Sequence, residues 1–365
     1  MSLRNSMAFV VVAWVTTPLL ADEPVLKGRN LTEWLKMLDS DPKPERRRAS
    51  IVALEILGDK SARVIKGLGK AARSDTDDDV RRQAIQLLGG WPMESRDALD
   101  DLAAALKADK VAGVREAAAS ALGKVGAAGK ASVVVPVLAD GLKDTDAKAR
   151  ASSAEALGKL GGDAEPATLE LTQRLTDSDL LVRSFSAHAL GRIGPPARAS
   201  VTALGKALTD DSAVEVRKEA VAALQQMGPD AKPAIPALAK SLSDRQPEIR
   251  LRSAIVLGKL GRDASSALPA VMAMLKDSDK DARAQAVHAL PAIGGPAAGV
   301  ISALIDRVRD ETVEVRVAAI DELALLGQAA KDAVPILQDA RRDGRQSVRE
   351  AAEAALKRIQ APPPP

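Results

Sequence analysis

The sequence predicts an all-α protein, a right-handed α-solenoid (superhelix) of about ten antiparallel helix pairs. Three observations carry this reading. An arginine recurs at Arg47, Arg81, Arg115, Arg150, Arg183, Arg217, Arg250, Arg283, Arg316 and Arg349, at intervals of 33 to 35 residues. Seven residues after each of them stands a leucine, from Leu54 through Leu190 to Leu356, and six residues before each stands an aspartate, from Asp41 through Asp177 to Asp343.

The chain opens with a segment of another kind. Residues 1–21 carry Arg4, an apolar run from Met7 to Leu20 and then Ala21 before Asp22 and Glu23. This is the layout of a secretory signal cleaved after Ala21, and the run is too short for a membrane span. The expected localisation is therefore exported, periplasmic or secreted, with no membrane insertion once the signal is removed. Residues 22–29 read as a short linker, and residues 30–360 as the repeat array. At its start Asn30 can cap the helix LTEWLKML, with Glu33 three residues on completing a capping box.

Within each repeat, counting from the arginine, position +3 is Ala or Ser, +7 is Leu, +10 is apolar and +11 is Gly in eight cases, Pro92 and Gln360 being the exceptions. Positions −1, +3, +7 and +10 fall on one stripe of a 3.6-residue helix, and the glycine predicts a left-handed stop. This is helix B. Before it lies a second amphipathic stretch, helix A, with a proline expected in its first turn at Pro136, Pro236, Pro269 and Pro335. One pair cannot bury its apolar face alone, so neighbours must stack. The last helix carries Glu350, Glu353, Lys357 and Arg358 and reads as a polar cap, followed by a proline tail at residues 361–365.

Composition removes several chemistries. There is no Cys and no Tyr, with only three Trp and two Phe, and the formal charge is +3. Thiolate metal sites, disulfides and cysteine nucleophiles are excluded, and no base-stacking platform or net field favours nucleic acid. The two histidines, His188 and His288, both stand at +5, three repeats apart. At about 8–10 Å per packed layer they are too distant to share a metal.

The aspartate and arginine of each repeat are expected to form a structural ladder: Asp144 with Arg150, Asp177 with Arg183, Asp211 with Arg217, Asp244 with Arg250 and Asp277 with Arg283. The aspartate can accept from free amides at the start of helix B, and the arginine can reach this carboxylate or that of the neighbouring repeat. On the exposed stripe of helix B, formed by +1, +5 and +9, cations recur at +9, and Lys124, Lys159, Arg192 and Lys259 together with His188 are the candidate partner-binding residues. The pairs Glu155–His188 and His288–Asp321 are expected between adjacent repeats.

The unit D-x5-R-x2-[AS]-x3-L-x2-hydrophobic-G, as in DSDLLVRSFSAHALGRIG from Asp177 to Gly194, resembles the HEAT repeat. The resemblance is to the phycobilin-lyase type, within the armadillo-like helical superfamily, and with the leader it points to a bacterial exported member. It implies a non-catalytic scaffold that mediates protein–protein interaction through the concave helix-B surface, as a monomer, with no cofactor and no nucleic-acid partner. The alternative it implies is an accessory subunit of an enzyme complex, as in lyase subunits. A third, the iron-dependent deoxyhypusine hydroxylase, needs His-Glu dipeptides, whereas His188 and His288 are each followed by alanine.

Overall fold

A computed structural model describes residues 24–361. The signal-peptide reading and the last four prolines fall outside them. The described residues divide into two compact units, 24–59 and 60–361.

In the first unit, strands β1 (Val25–Leu26) and β2 (Arg29–Asn30) pair antiparallel, with Val25 opposite Asn30. Lys27 (φ 50) and Gly28 (φ 74) make the two-residue turn, the double positive φ of a type I′ hairpin. The segment read as a linker thus carries a small hairpin. Helix α1 (Leu31–Ser40) starts at the expected capping box: the Glu33 amide donates to Asn30 Oδ1 and the Asn30 amide to Glu33 Oε2, both at 2.9 Å. It packs on α2 (Pro44–Leu57), burying Trp34 and Leu38 with Ile51 and Leu54.

The second unit holds nine further pairs, in each of which the first helix is A and the second is B. They are α3 (Ala62–Ser74) and α4 (Asp78–Gly90), α5 (Leu99–Ala108) and α6 (Ala112–Val125), α7 (Ala131–Gly141) and α8 (Ala147–Leu160), α9 (Thr168–Arg174) and α10 (Leu180–Ile193). There follow α11 (Val201–Asp210) and α12 (Val214–Met227), α13 (Ile235–Ser241) and α14 (Pro247–Leu260), α15 (Leu268–Met274) and α16 (Lys280–Gly294), α17 (Ala298–Arg307) and α18 (Val313–Leu326), α19 (Val334–Ala340) and α20 (Gln346–Gln360). This is an all-α solenoid. The +7 leucines Leu122, Leu157, Leu190, Leu224, Leu257, Leu290 and Leu323 have no exposed surface, because they sit where helix B meets its own helix A and both neighbouring repeats.

Two details of the repeat differ from expectation. Gly161, Gly194, Gly228, Gly261 and Gly327 end their helices with φ between 56 and 74 but ψ between −128 and −145. That is the first central position of a type II′ turn rather than the left-handed helical region, which among the +11 glycines is taken by Gly58 alone (φ 65, ψ 13). The cause is the short connection to helix A: each of these glycines leads at once into a 3₁₀ segment, such as 228–234, before helix A proper begins. Prolines 236, 269 and 335 open α13, α15 and α19 as expected, but Pro136 lies inside α7. There Gly126 stays helical (φ −59), the chain continues through a π turn, and the break is made by Gly129 (φ 100), so α7 starts earlier, counted from its ladder arginine, than α5 and α9 on either side. The apolar stretch Ala112–Gly141 is long enough to cross a membrane, but it is this kinked α6–α7 connection, packed on α5 and α8.

The tightest contacts run between successive B helices, and a pairing that repeats along the stack explains them. Position +8 is glycine in five B helices, and an added Cβ on Gly123 would lie 2.7 Å from Ala156 Cβ; on Gly191, 2.9 Å from Ala223 Cα. Gly89, Gly158 and Gly258 face Ala121, Ala189 and Ala289 in the same way. The alanine is always at +6 of the next repeat. Where Gln225 stands instead, facing the repeat of α14, α12 and α14 touch much less than α10 and α12 do. Successive A helices approach one another far less closely than successive B helices.

Candidate functional site

Two sets of side chains repeat along the second unit: one at the A–B turns and one on the outward face of helix B. At the turns, the guanidinium of each ladder arginine bridges two repeats. Arg217 donates through Nη1 to the Asp211 carbonyl at 3.1 Å and through Nε and Nη2 to both carboxylate oxygens of Asp244, at 2.8 and 3.2 Å. Arg150 holds Asp177 at 2.9 and 2.7 Å, Arg183 holds Asp211 at 2.6 and 3.1 Å, Arg250 holds Asp277 at 2.6 and 2.6 Å, and Arg283 holds Asp310 at 3.1 and 3.1 Å. Asp144 is held by Arg115.

Each carboxylate therefore belongs to the arginine of the preceding repeat, and Arg217 and Asp211 are not an ion pair within one repeat. The aspartate's Oδ1 is turned toward its own chain, accepting the amide two residues on, as in Asp146 N–H to Asp144 at 2.8 Å. The carboxylate face left over points at the previous arginine. In four repeats capping of helix B falls to that second residue: Asp77, Asp146, Asp179 and Asp279 accept amides of the first turn. The D-x-D spacing was the available signal for it.

Burial disfavours the charged form of Asp144, Asp177, Asp244 and Asp277, but the arginine hydrogen bonds and the amide outweigh it and hold all four below the usual carboxylate range. A depressed carboxylate stabilises the fold fully above its unfolded value, near pH 4, and loses that contribution as pH falls through the folded value. The ladder thus holds at neutral pH and fails only in acid.

On the face of helix B the candidate residues do not form one site. Lys159 pairs with Glu155 on its own helix at 2.8 Å. His188 Nδ1 lies 3.0 Å from Glu219 Oε2 and His288 Nδ1 2.8 Å from Glu322 Oε1, so in both cases the partner is on the next B helix. The expected Glu155–His188 and His288–Asp321 pairs are not made, because Glu155 is taken by Lys159 and the side chain following Asp321 reaches His288 first. Lys124, Arg192 and Lys259 are exposed and make no ion pair among the described residues. An open groove of about 550 Å³ is lined by Gly158, Lys159, Phe185, His188, Arg192 and Glu219, among others. Phe185, half-buried at +2, leaves no trace in the repeat pattern; with Trp34 and Trp91 buried, it is the one described aromatic ring at the surface.

Hydrogen bonding to Glu219 and Glu322 raises the pKa of His188 and His288 above the ordinary 6.5, against partial burial. A raised histidine contributes stability fully below its unfolded value and loses it as pH rises through the folded one. The melting temperature is therefore expected to decline from pH 6 to pH 8, and the doubly substituted His188→Gln, His288→Gln chain to show a flatter profile over that range. An unchanged slope in the variant would show that the pairs carry no such linkage. The histidines stand on separate B helices, and no group of three or more His, Asp or Glu side chains suited to a metal occurs among the described residues.

Stacked helix pairs locked turn to turn, with a long face of parallel helices open to solvent, define a helical-repeat protein. The HEAT repeat family model matches residues 65–158, 168–246, 201–290, 235–313 and 268–357, and the chain belongs to the HEAT repeat family. Among solved structures it is similar to importin beta crystallised in ammonium sulfate, with a TM-score of 0.56 and 16% identity over 90% of this chain and 51% of that one. It is also similar to Kap95p in a structure where Kap95p binding switches the loops of RanGDP to the GTP-bound conformation, with a TM-score of 0.55 and 13% identity over 90% and 50%. The chain spans about half the length of these proteins, and at such identity the likeness is one of fold. No curated protein sequence matches it.

Proposed function

We propose that this protein is a non-catalytic scaffold, exported by its N-terminal segment, that binds protein through the face formed by its B helices. The observation that carries the reading is the division of labour between the two repeated sets. The ladder arginines and aspartates are consumed in holding the stack, whereas Lys124, Arg192 and Lys259 make no ion pair among the described residues. The recognition of RanGDP by Kap95p supports the same use of a related fold.

A photo-cross-linker placed at Ser184 on α10, and separately at Gln173 on α9, tests this in extracts of the exported fraction. Protein adducts from Ser184 and none from Gln173 are expected. Adducts from Gln173 alone would move binding to the A helices. If the captured proteins are subunits of one enzyme, the chain is its accessory subunit, in the manner of lyase-type HEAT proteins.

A further inference from the structure

The unpaired cations of the B face have a regular spacing that specifies the shape of what they bind. Lys124, Arg192 and Lys259 occupy the same +9 position of α6, α10 and α14, so each is two repeats from the next. Between them Lys159 is neutralised by Glu155, and α12 carries Gln226. Packed helices lie about 8–10 Å apart, so the free charges are spaced about 16–20 Å along the stack. An extended chain rises about 3.3 Å per residue, so that interval corresponds to about five or six residues.

The middle cation is also the one beside a recess. Arg192 borders the groove lined by Gly158 and Phe185, and the acidic groups there are already engaged, Glu155 by Lys159 and Glu219 by His188. An apolar side chain entering the groove would cover the exposed part of the Phe185 ring, while a carboxylate beside it would meet Arg192 without displacing an existing pair.

We infer that the B face of α6 to α14 binds an extended acidic segment of a protein partner, with three carboxylates about six residues apart and an apolar residue next to the central one. This rests on the scaffold reading and adds the chemistry of the partner. The row is short and interrupted by neutral and paired positions, so a dense polyanion would leave most of its charges unmatched, whereas a sparsely acidic peptide matches it. The contribution of each contact is electrostatic and at the surface, so it is screened by salt.

The test uses the full chain and a labelled synthetic 15-residue peptide with Asp at every sixth position and Leu beside the central Asp, the remainder being Ser, Thr and Gly. Fluorescence anisotropy is expected to show binding at least about tenfold tighter than for a peptide of identical composition with the three Asp adjacent, and several-fold weakening as salt rises. The variant Lys124→Glu, Arg192→Glu, Lys259→Glu should lose binding while its helical signal persists, and Phe185→Ala should weaken the Leu peptide but not one with Ser in that place. Equal affinity for spaced and adjacent acids, indifference to the triple variant, tighter binding of a Lys-for-Asp peptide or of single-stranded DNA, or no binding at all would each overturn the inference. The Ser184 cross-linker separates the two readings. Adducts from it together with failure of the spaced peptide would leave the scaffold and remove the acidic segment, and absence of both would remove the scaffold as well.

Discussion

Arg217→Ala is expected to lower stability toward urea by roughly 2–4 kcal/mol. The substitution removes four hydrogen bonds at once: two to the Asp244 carboxylate and one each to the Asp211 and Ser212 carbonyls. Asp244, with a side chain 10% exposed, is left ionised without its cation. The loss exceeds that of a surface ion pair because neither partner can turn to water without opening the joint between α12 and α14. Arg217→Lys should recover only part of it, since an ammonium cannot bridge the carbonyl of one repeat and both oxygens of the next. Removing Asp211 tests the register, because its partner is Arg183 rather than Arg217. In a double-mutant cycle Arg217 should couple strongly with Asp244 and only weakly with Asp211. The reverse result would mean that the rungs close within a repeat.

Gly123→Leu is expected to cost about 3 kcal/mol. Its Cβ would meet Ala156 Cβ at 2.7 Å and Cα at 3.0 Å, and a main-chain atom of a packed helix cannot yield as a flexible side chain can. The helices α6 and α8 must separate, which also opens the +7 leucine layer beneath them. Gly90, the exposed glycine at +9 of α4, has nothing within 4 Å of an added Cβ. Gly90→Ala should therefore fall within about 0.5 kcal/mol of the parent chain. Urea unfolding followed by circular dichroism measures both, and comparable losses at the two sites would show that helix propensity rather than close approach governs these glycines.

How much of this was legible in the sequence depends on whether the fact is local or lies between repeats. Helix B could be placed from Leu190, Ile193 and Gly194 because periodicity and stop are properties of one segment. The cap at Asn30 was legible for the same reason. The partner of Arg217 was not, since choosing between Asp211 and Asp244 requires the offset between layers. The same ignorance of offset misassigned His188 to Glu155 instead of Glu219. The +8 glycines escaped the sequence reading, because their purpose appears only when Ala156 is seen opposite Gly123. Lys27-Gly28 was too short a signal, flanked by two-residue strands, to announce a hairpin. At Gly126 the local pattern was followed by Ala127 and Ala128, strong helix formers that carry the helix past its expected stop. Of the candidate surface, the row of cations was legible; which members are free, and that Phe185 lies beside Arg192, depended on side-chain partners that only packing decides.

The claim that the ladder holds the stack while the B face does the binding is tested most directly by hydrogen–deuterium exchange of the chain with and without the protein partner captured through Ser184. Slower exchange in α8, α10 and α12 on complex formation, with α9, α11 and α13 and the Asp–Arg turns unchanged, is the predicted result. Protection confined to the A helices or to the turns, with the B helices exchanging as in the free chain, would contradict it.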